Sequence, residues 1–229
     1  MMDPRHYVAW RAAQELESGD IVNLGIGIPI LVADYIPKDR QVFLQSENGI
    51  LGVGPTPPTE SQDPDLINAS KLPISEQIGA SYFDSSLSFA MMRGGHIHKT
   101  VIGTLQISQS GDIANWAVPG KDVLGVGGAM DLIVGARTVI VVSTHLTSDG
   151  KPKILPACTF PLTAKGEADV LITEYAVFRF IDNQMVLEEL VDDLTLDQLK
   201  QITPAHYEIS DHFRMVNRTE YLTNKQSMG

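Results

Sequence analysis

The feature that most constrains this chain is an alternation that begins near its start. IVNLGIGIP (21–29) opens as a short strand and breaks into two glycines spaced by one residue. PILVADYI (29–36) then reads as a helix starting on Pro29, and QVFLQ (41–45) is again an apolar strand. Strand, glycine turn, helix and strand in this order predict βαβ units and an α/β fold with a largely parallel sheet flanked by helices. Reactive groups in such sheets gather at strand C-terminal ends. The strand at 41–45 delivers Ser46-Glu47-Asn48-Gly49 to that position.

The same reading extends along the chain. Val8, Ala12 and Leu16 share one face of a helix over 5–18, with Asp3 as N-cap, Pro4 at the first helical position and Gly19 as terminator. GPTPPTESQDP (54–64) is a surface loop. A helix is predicted near 84–92, strands at 100–108, 137–144, 170–178 and 185–190, and a short capped helix from Thr195. From about residue 204 the chain turns polar. The expected organisation is one domain over 1–203 and a polar, irregular C-terminal tail over 204–229.

Charge and composition narrow the partners. A net charge of −11 over 229 residues argues against a nucleic-acid or anionic-membrane footprint. No apolar run approaches the ~18 residues of a bilayer span, and the opening residues do not read as a secretory signal. The single cysteine, Cys158, excludes an intramolecular disulfide framework and fits a reducing cytoplasm. Its apolar surroundings, LPACTFPL, point to an inert packed thiol.

Familiar motifs fail. Gly25-Ile26-Gly27 starts like a dinucleotide fingerprint, but Pro29 and Ile30 break it; phosphate-loop and nucleophile-elbow motifs are absent. His96 and His98 lack the nearby partners that a metal site needs, so no metal is expected.

Three glycine-rich turns remain: Asn23 with Gly25 and Gly27, the turn at 46–49, and Gly127-Gly128-Ala129-Met130-Asp131. Glycines there let a ligand approach backbone N–H donors, and a lone glutamate among such donors is a candidate nucleophile. The residues alone leave alternatives open. Glu47 could instead cap a helix starting at Asn48 or Gly49, the second glycine run could be a turn before the strand at 137, and Gln106 could be a satisfied core amide.

NLGIGIP, LQSENGILGVGP, DLINASK, SFAMMRGGHI, GDIANW, VPGK, GVGGAMDL and PLT resemble, in order and spacing over residues 5 to 190, the B (β) subunit of the family I CoA-transferases. That family includes succinyl-CoA:3-oxoacid, 3-oxoadipate and acetate/acetoacetate CoA-transferases. The resemblance implies that Glu47 is the catalytic nucleophile of a ping-pong cycle through a glutamyl-CoA thioester. It implies coenzyme A as substrate, with no permanently bound cofactor. Asn23, Gly25, Gly27, Asn48, Gln106, Gly127, Gly128 and Ala129 form the implied binding and oxyanion set. Also implied are a fold shared with sugar-phosphate isomerases and glucosamine-phosphate deaminases, and an A (α) subunit that completes the site in an α₂β₂ assembly. Hydrolysis of acyl-CoA through the same glutamate is the alternative reaction. Arg93, Lys99 and Lys121 are candidate cations for the CoA phosphates. His98, Lys99, Glu174 and Tyr175 depart from the family pattern, which bears on the acyl chain.

Overall fold

The computed structural model describes residues 3–120, 125, 127–218 and 221. Its strands are β1 (Ile21–Leu24), β2 (Phe43–Ser46), β3 (Ile50–Val53), β4 (Glu76–Tyr82), β5 (Lys99–Gly103), β6 (Gln106–Ser108), β7 (Ile113–Ala114), β8 (Thr138–Val142), β9 (Ile154–Leu155), β10 (Val170–Ile172), β11 (Ala176–Ile181), β12 (Gln184–Val191) and β13 (Glu208–Val216). The helices are α1 (Pro4–Ala13), α2 (Ile28–Leu31), α3 (Ser85–Arg93), α4 (Ala129–Gly135) and α5 (Leu196–Ile202).

Ten strands form one sheet in the order β13-β12-β11-β10-β8-β5-β1-β2-β3-β4. From β10 to β2 all neighbours run parallel, and antiparallel hairpins extend both ends of that core. A second sheet, β7-β6-β9, packs separately. The parallel strands are buried on both faces, as their β-branched composition demands. Ile140 and Val142 join the cluster containing Val8 and Leu16, whereas Val139 and Val141 join the cluster of Leu171, Phe178 and Leu199.

Several local predictions need correction. The strand expected over 100–108 is two strands in different sheets, β5 and β6. Thr104 donates its hydroxyl to Gln106 O (2.6 Å) and turns the chain out of the main sheet. The strand expected over 170–178 is the hairpin β10–β11, because Thr173 Oγ1 accepts from the backbone N–H groups of Tyr175 and Ala176 and closes a turn. The helix over 5–18 ends at Ala13, where i to i+3 bonds tighten the next turns. The helix from Pro29 is one α turn followed by a 3₁₀ turn, Val32–Tyr35; Ile36, preceding Pro37, is already extended.

The irregular tail is also corrected: β13 pairs parallel with β12. Its side chains are mostly exposed and show no two-residue apolar alternation, so nothing in the pattern announced a strand. Further on, Tyr221 is buried against Tyr7, Trp10 and Tyr35, and its hydroxyl lies 3.1 Å from that of Tyr35.

α1 is fastened across this end of the sheet by charge. Arg11 donates to both oxygens of Glu189 on β12 (2.7 and 2.9 Å) and to Glu15 (2.7 Å). Arg179 on β11 also binds Glu15, and Arg214 on β13 binds Glu189. Burial opposes ionisation of Glu189, but the hydrogen bonds and charge of Arg11 and Arg214 hold its carboxyl below the ordinary range. The stability this contributes is therefore present above the unfolded glutamate pKa and lost as pH falls through the lowered one. Arg11→Met removes the buried partner of Glu189, leaving it only the exposed Arg214, and is expected to lower unfolding free energy by about 1–3 kcal/mol. Urea denaturation at neutral pH measures this, and the deficit should shrink toward acid pH.

Candidate active site

The C-terminal ends of β2, β1, β5 and β8 border a cavity of about 640 Å³. Glu47 lines it from the β2 end, in the three-residue connection between β2 and β3. No helix starts at Asn48 or Gly49, so the helix-cap alternative is excluded. Gly49 N–H donates to Ser46 O (3.0 Å), and Gly49 O accepts from Phe83 N–H (3.0 Å) at the entrance to α3. Gly49 has φ +122°, and a Cβ there would lie 2.0 Å from Phe83 O, so the turn requires glycine.

Behind Glu47 runs a buried amide chain. Asn23 Nδ2 donates to the backbone oxygen of Gln45 (3.2 Å) and to Gln45 Oε1, and Gln45 Nε2 donates to Ser88 Oγ (2.8 Å). This ties β1, β2 and α3 together beneath the turn. Ser46 Oγ accepts from Ala69 N–H (2.9 Å) and Asn48 Nδ2 donates to Ile67 O (2.7 Å). Both bonds dock the segment that brings Ala69 and Ser70 to the cavity wall.

The carboxylate of Glu47 accepts no hydrogen bond from the described residues and lies directly against Gly128, the N-cap of α4. A Cβ on Gly128 would stand 2.2 Å from Glu47 Oε2 and 3.2 Å from Phe89 Cζ. Burial and, second, the charge of Asp131 push the Glu47 carboxyl above its ordinary pKa. Asp131 is itself held by Arg93 (2.7 Å), whose guanidinium sits over the Phe89 ring.

The structure thus gathers Asn23, Gly25, Gly27's neighbours Ile26 and Ile28, Glu47, Gly127, Gly128 and Ala129 around one space. It does not bring every expected residue there. Asn48 faces the loop at Ile67, and neither it nor Gly27 nor Gln106 lines the cavity. Gln106 is a satisfied amide: its Oε1 accepts from Thr159 N–H (2.8 Å) and Phe160 N–H (3.0 Å). Lys99 lies at the opposite, N-terminal end of β5, paired with Asp20 (2.9 Å). Lys121 falls outside the described residues. Cys158 is half-buried, and burial pushes its thiol up to about 11. His98 Nδ1 accepts from Ile21 N–H (2.8 Å), and among the described residues no group of three or more His, Cys, Asp or Glu could hold a metal.

Sequence reasoning missed Lys153, Thr104, Ser143, Asn115 and Trp116, which complete the wall. Thr104 and Ser143 could have been flagged as the residues following two β-branched runs. Lys153 carried no such signal, because KPK reads as an exposed turn.

The coenzyme A transferase family profile matches residues 5–201. The chain is 50% identical over 209 residues to the beta subunit of the acetate CoA-transferase of Escherichia coli K12, covering 91% of this chain and 95% of that one. It is 49% identical over 205 residues to the B subunit of the succinyl-CoA:3-ketoacid coenzyme A transferase of Helicobacter pylori, covering 90% and 99% respectively. Among solved structures, an acyl-CoA transferase apoenzyme from Escherichia coli O157:H7 shares the fold, with a TM-score of 0.75 and 21% identity over 94% of this chain and 44% of that one. Among the described residues no helix is long and apolar enough to cross a membrane.

Gly128 has φ −81°, a conformation open to alanine, so Gly128→Ala tests the contact without backbone strain. The added methyl displaces the Glu47 carboxylate rather than unfolding the loop. Turnover is expected to fall by about 100-fold, as for a misplacement on the order of 1 Å, while the melting temperature measured by differential scanning fluorimetry holds.

Proposed function

Because the chain belongs to the coenzyme A transferase family, we propose that it transfers CoA between an acyl-CoA and a free short-chain or 3-oxo carboxylate through a covalent intermediate on Glu47. The observation that carries this reading is the Glu47 carboxylate itself: half-buried, without a hydrogen bond from the described residues, and pressed against glycine backbone. A carboxylate relieved of hydrogen bonds keeps its lone pairs available for attack.

In the proposed cycle a Glu47 oxygen attacks the thioester carbonyl carbon. The C–S bond breaks, and CoA leaves as thiolate from a mixed anhydride. The thiolate then attacks the Glu47 carbonyl carbon and expels the donor acid as carboxylate, leaving a glutamyl-CoA thioester. An acceptor carboxylate runs the same steps in reverse and restores Glu47. The backbone N–H groups of Gly128 and Ala129, in the first turn of α4, have no intrahelical acceptors and would face the developing oxyanion. Asn23 has committed its amide hydrogens to Gln45, so its part is to hold the turn in place.

The relatives are named as beta or B chains of their enzymes, which supports an A-type partner chain and, with it, an α₂β₂ enzyme. Arg93 is the remaining described candidate for a CoA phosphate, although Asp131 already engages it.

Incubating the reconstituted complex with acyl-CoA should add the mass of CoA to the peptide containing Glu47, and Glu47→Gln should abolish both the adduct and transfer. CoA release that proceeds equally fast without an acceptor carboxylate would replace transfer by hydrolysis. The pH profile offers a second check. Attack requires ionised Glu47, so activity is present above its folded pKa and lost as pH falls through it, with the acid limb of kcat/KM lying above the ordinary glutamate value. Asp131→Asn removes a neighbouring negative charge and should move that limb to lower pH; an unmoved limb would take Asp131 out of the electrostatics of the site.

A further inference from the structure

At the β8 end of the cavity one side chain has no role in the cycle above. Lys153 is the one Lys or Arg among the described lining residues. Its backbone is clamped on both sides: Lys153 N–H donates to His145 O (3.2 Å), and its carbonyl accepts from Ile107 N–H (2.9 Å). Nζ donates to Ser143 Oγ (3.2 Å) and Thr144 Oγ1 (2.8 Å). Those hydroxyls spend their own hydrogens on Thr104 O and Leu146 O, so each presents only lone pairs to the ammonium.

An ammonium has three hydrogens, and the third has no acceptor among the described residues. No carboxylate forms an ion pair with Lys153 in that set. Glu174 is the acidic group whose charge it feels, but that carboxylate is engaged by His145 N–H (2.8 Å). Burial lowers the Lys153 pKa. A half-buried cation held by neutral hydroxyls is a site whose charge is not yet balanced.

Position decides which anion could balance it. The order β8-β5-β1-β2 puts three strand spacings between the ends that carry Lys153's anchors and Glu47, or about 14 Å. Lys153 therefore approaches the cavity from the opposite end to Glu47. Gly25, Gly103 and Thr104 lie between them along the cavity, leaving the space to a short chain.

We propose that Lys153 is a specificity-determining residue whose ammonium receives the distal carboxylate of a dicarboxylic acyl group while that group's thioester carbonyl sits at Glu47. This rests on the transfer reading given above. The test compares succinyl-CoA with butyryl-CoA, which has the same chain length without the second acid, in the complex with the A-type chain and acetate as acceptor. Loss of one charge-assisted hydrogen bond should lower the ratio of kcat/KM for succinyl-CoA over butyryl-CoA by about tenfold or more in Lys153→Met, mostly through KM. Lys153→Arg should restore much of the ratio.

An equal loss with both donors, as a cation serving CoA phosphates or the fold alone would give, overturns the assignment. So does an unchanged ratio. If Lys153→Met does not fold, wild type and Lys153→Arg decide, and a wild type without preference for succinyl-CoA overturns it. A wild type that transfers CoA from neither donor and leaves Glu47 unmodified overturns the transfer reading instead.

Discussion

Parallel neighbours cannot be joined by tight turns; each pair needs a crossover that covers a face of the sheet. Between β10 and β2 this constraint governs everything else in the molecule. It buries both faces, which leaves chemistry no place except the strand ends. It also sends the turns after β1, β2, β5 and β8 out on the same side, so residues far apart in sequence meet across one cavity. The exposed strands lie at the two edges of the sheet: β4 in an antiparallel pair with β3, and β13 parallel to β12.

Within that frame the site depends on a contact with no room in it. Glu47 arrives from the β2 turn and Gly128 from the N-terminus of α4, and they approach until only a hydrogen fits between them. The turn is held from beneath by the Asn23–Gln45–Ser88 chain and from the side by Ser46 and Asn48. Polar side chains next to Glu47 are thereby spent on position, while its carboxylate is left without a hydrogen-bond partner among the described residues. Asp131 and burial raise its proton affinity together, which makes it a stronger base once ionised.

Much of this could be read from the residues, and the parts that could not share a cause. The βαβ rhythm, the strand at 138–142 and the capped helix from Thr195 follow from periodicity and capping, which are local signals. Glu47 stood out because a carboxylate after an apolar strand is chemically out of place. Where a side chain's hydroxyl bends the backbone, as at Thr104 and Thr173, local hydrogen bonding outweighed the strand pattern and split single predicted strands in two. Gln106 looked like a donor near the site by resemblance, but its amide is consumed by Thr159 and Phe160, fifty-odd positions away in sequence. β13 and Lys153 were invisible for the same reason. The first is held by backbone pairing and the second is aimed by the hydroxyls of Ser143 and Thr144 just past the end of β8, and neither relation leaves a mark in the local pattern.

The aromatic cluster of Tyr7, Trp10, Tyr35 and Tyr221 carries a consequence for how the chain comes together. Tyr35 and Tyr221 touch across 186 positions, a loop closure whose entropic cost must be met before the contact gives anything back. During synthesis α1 and the first βαβ unit emerge long before Tyr221 does, so their apolar face waits uncovered while the rest of the sheet is made. Completion of the α1 face is thus tied to a residue 186 positions beyond Tyr35, and a chain released before Tyr221 is made leaves that face without its cover.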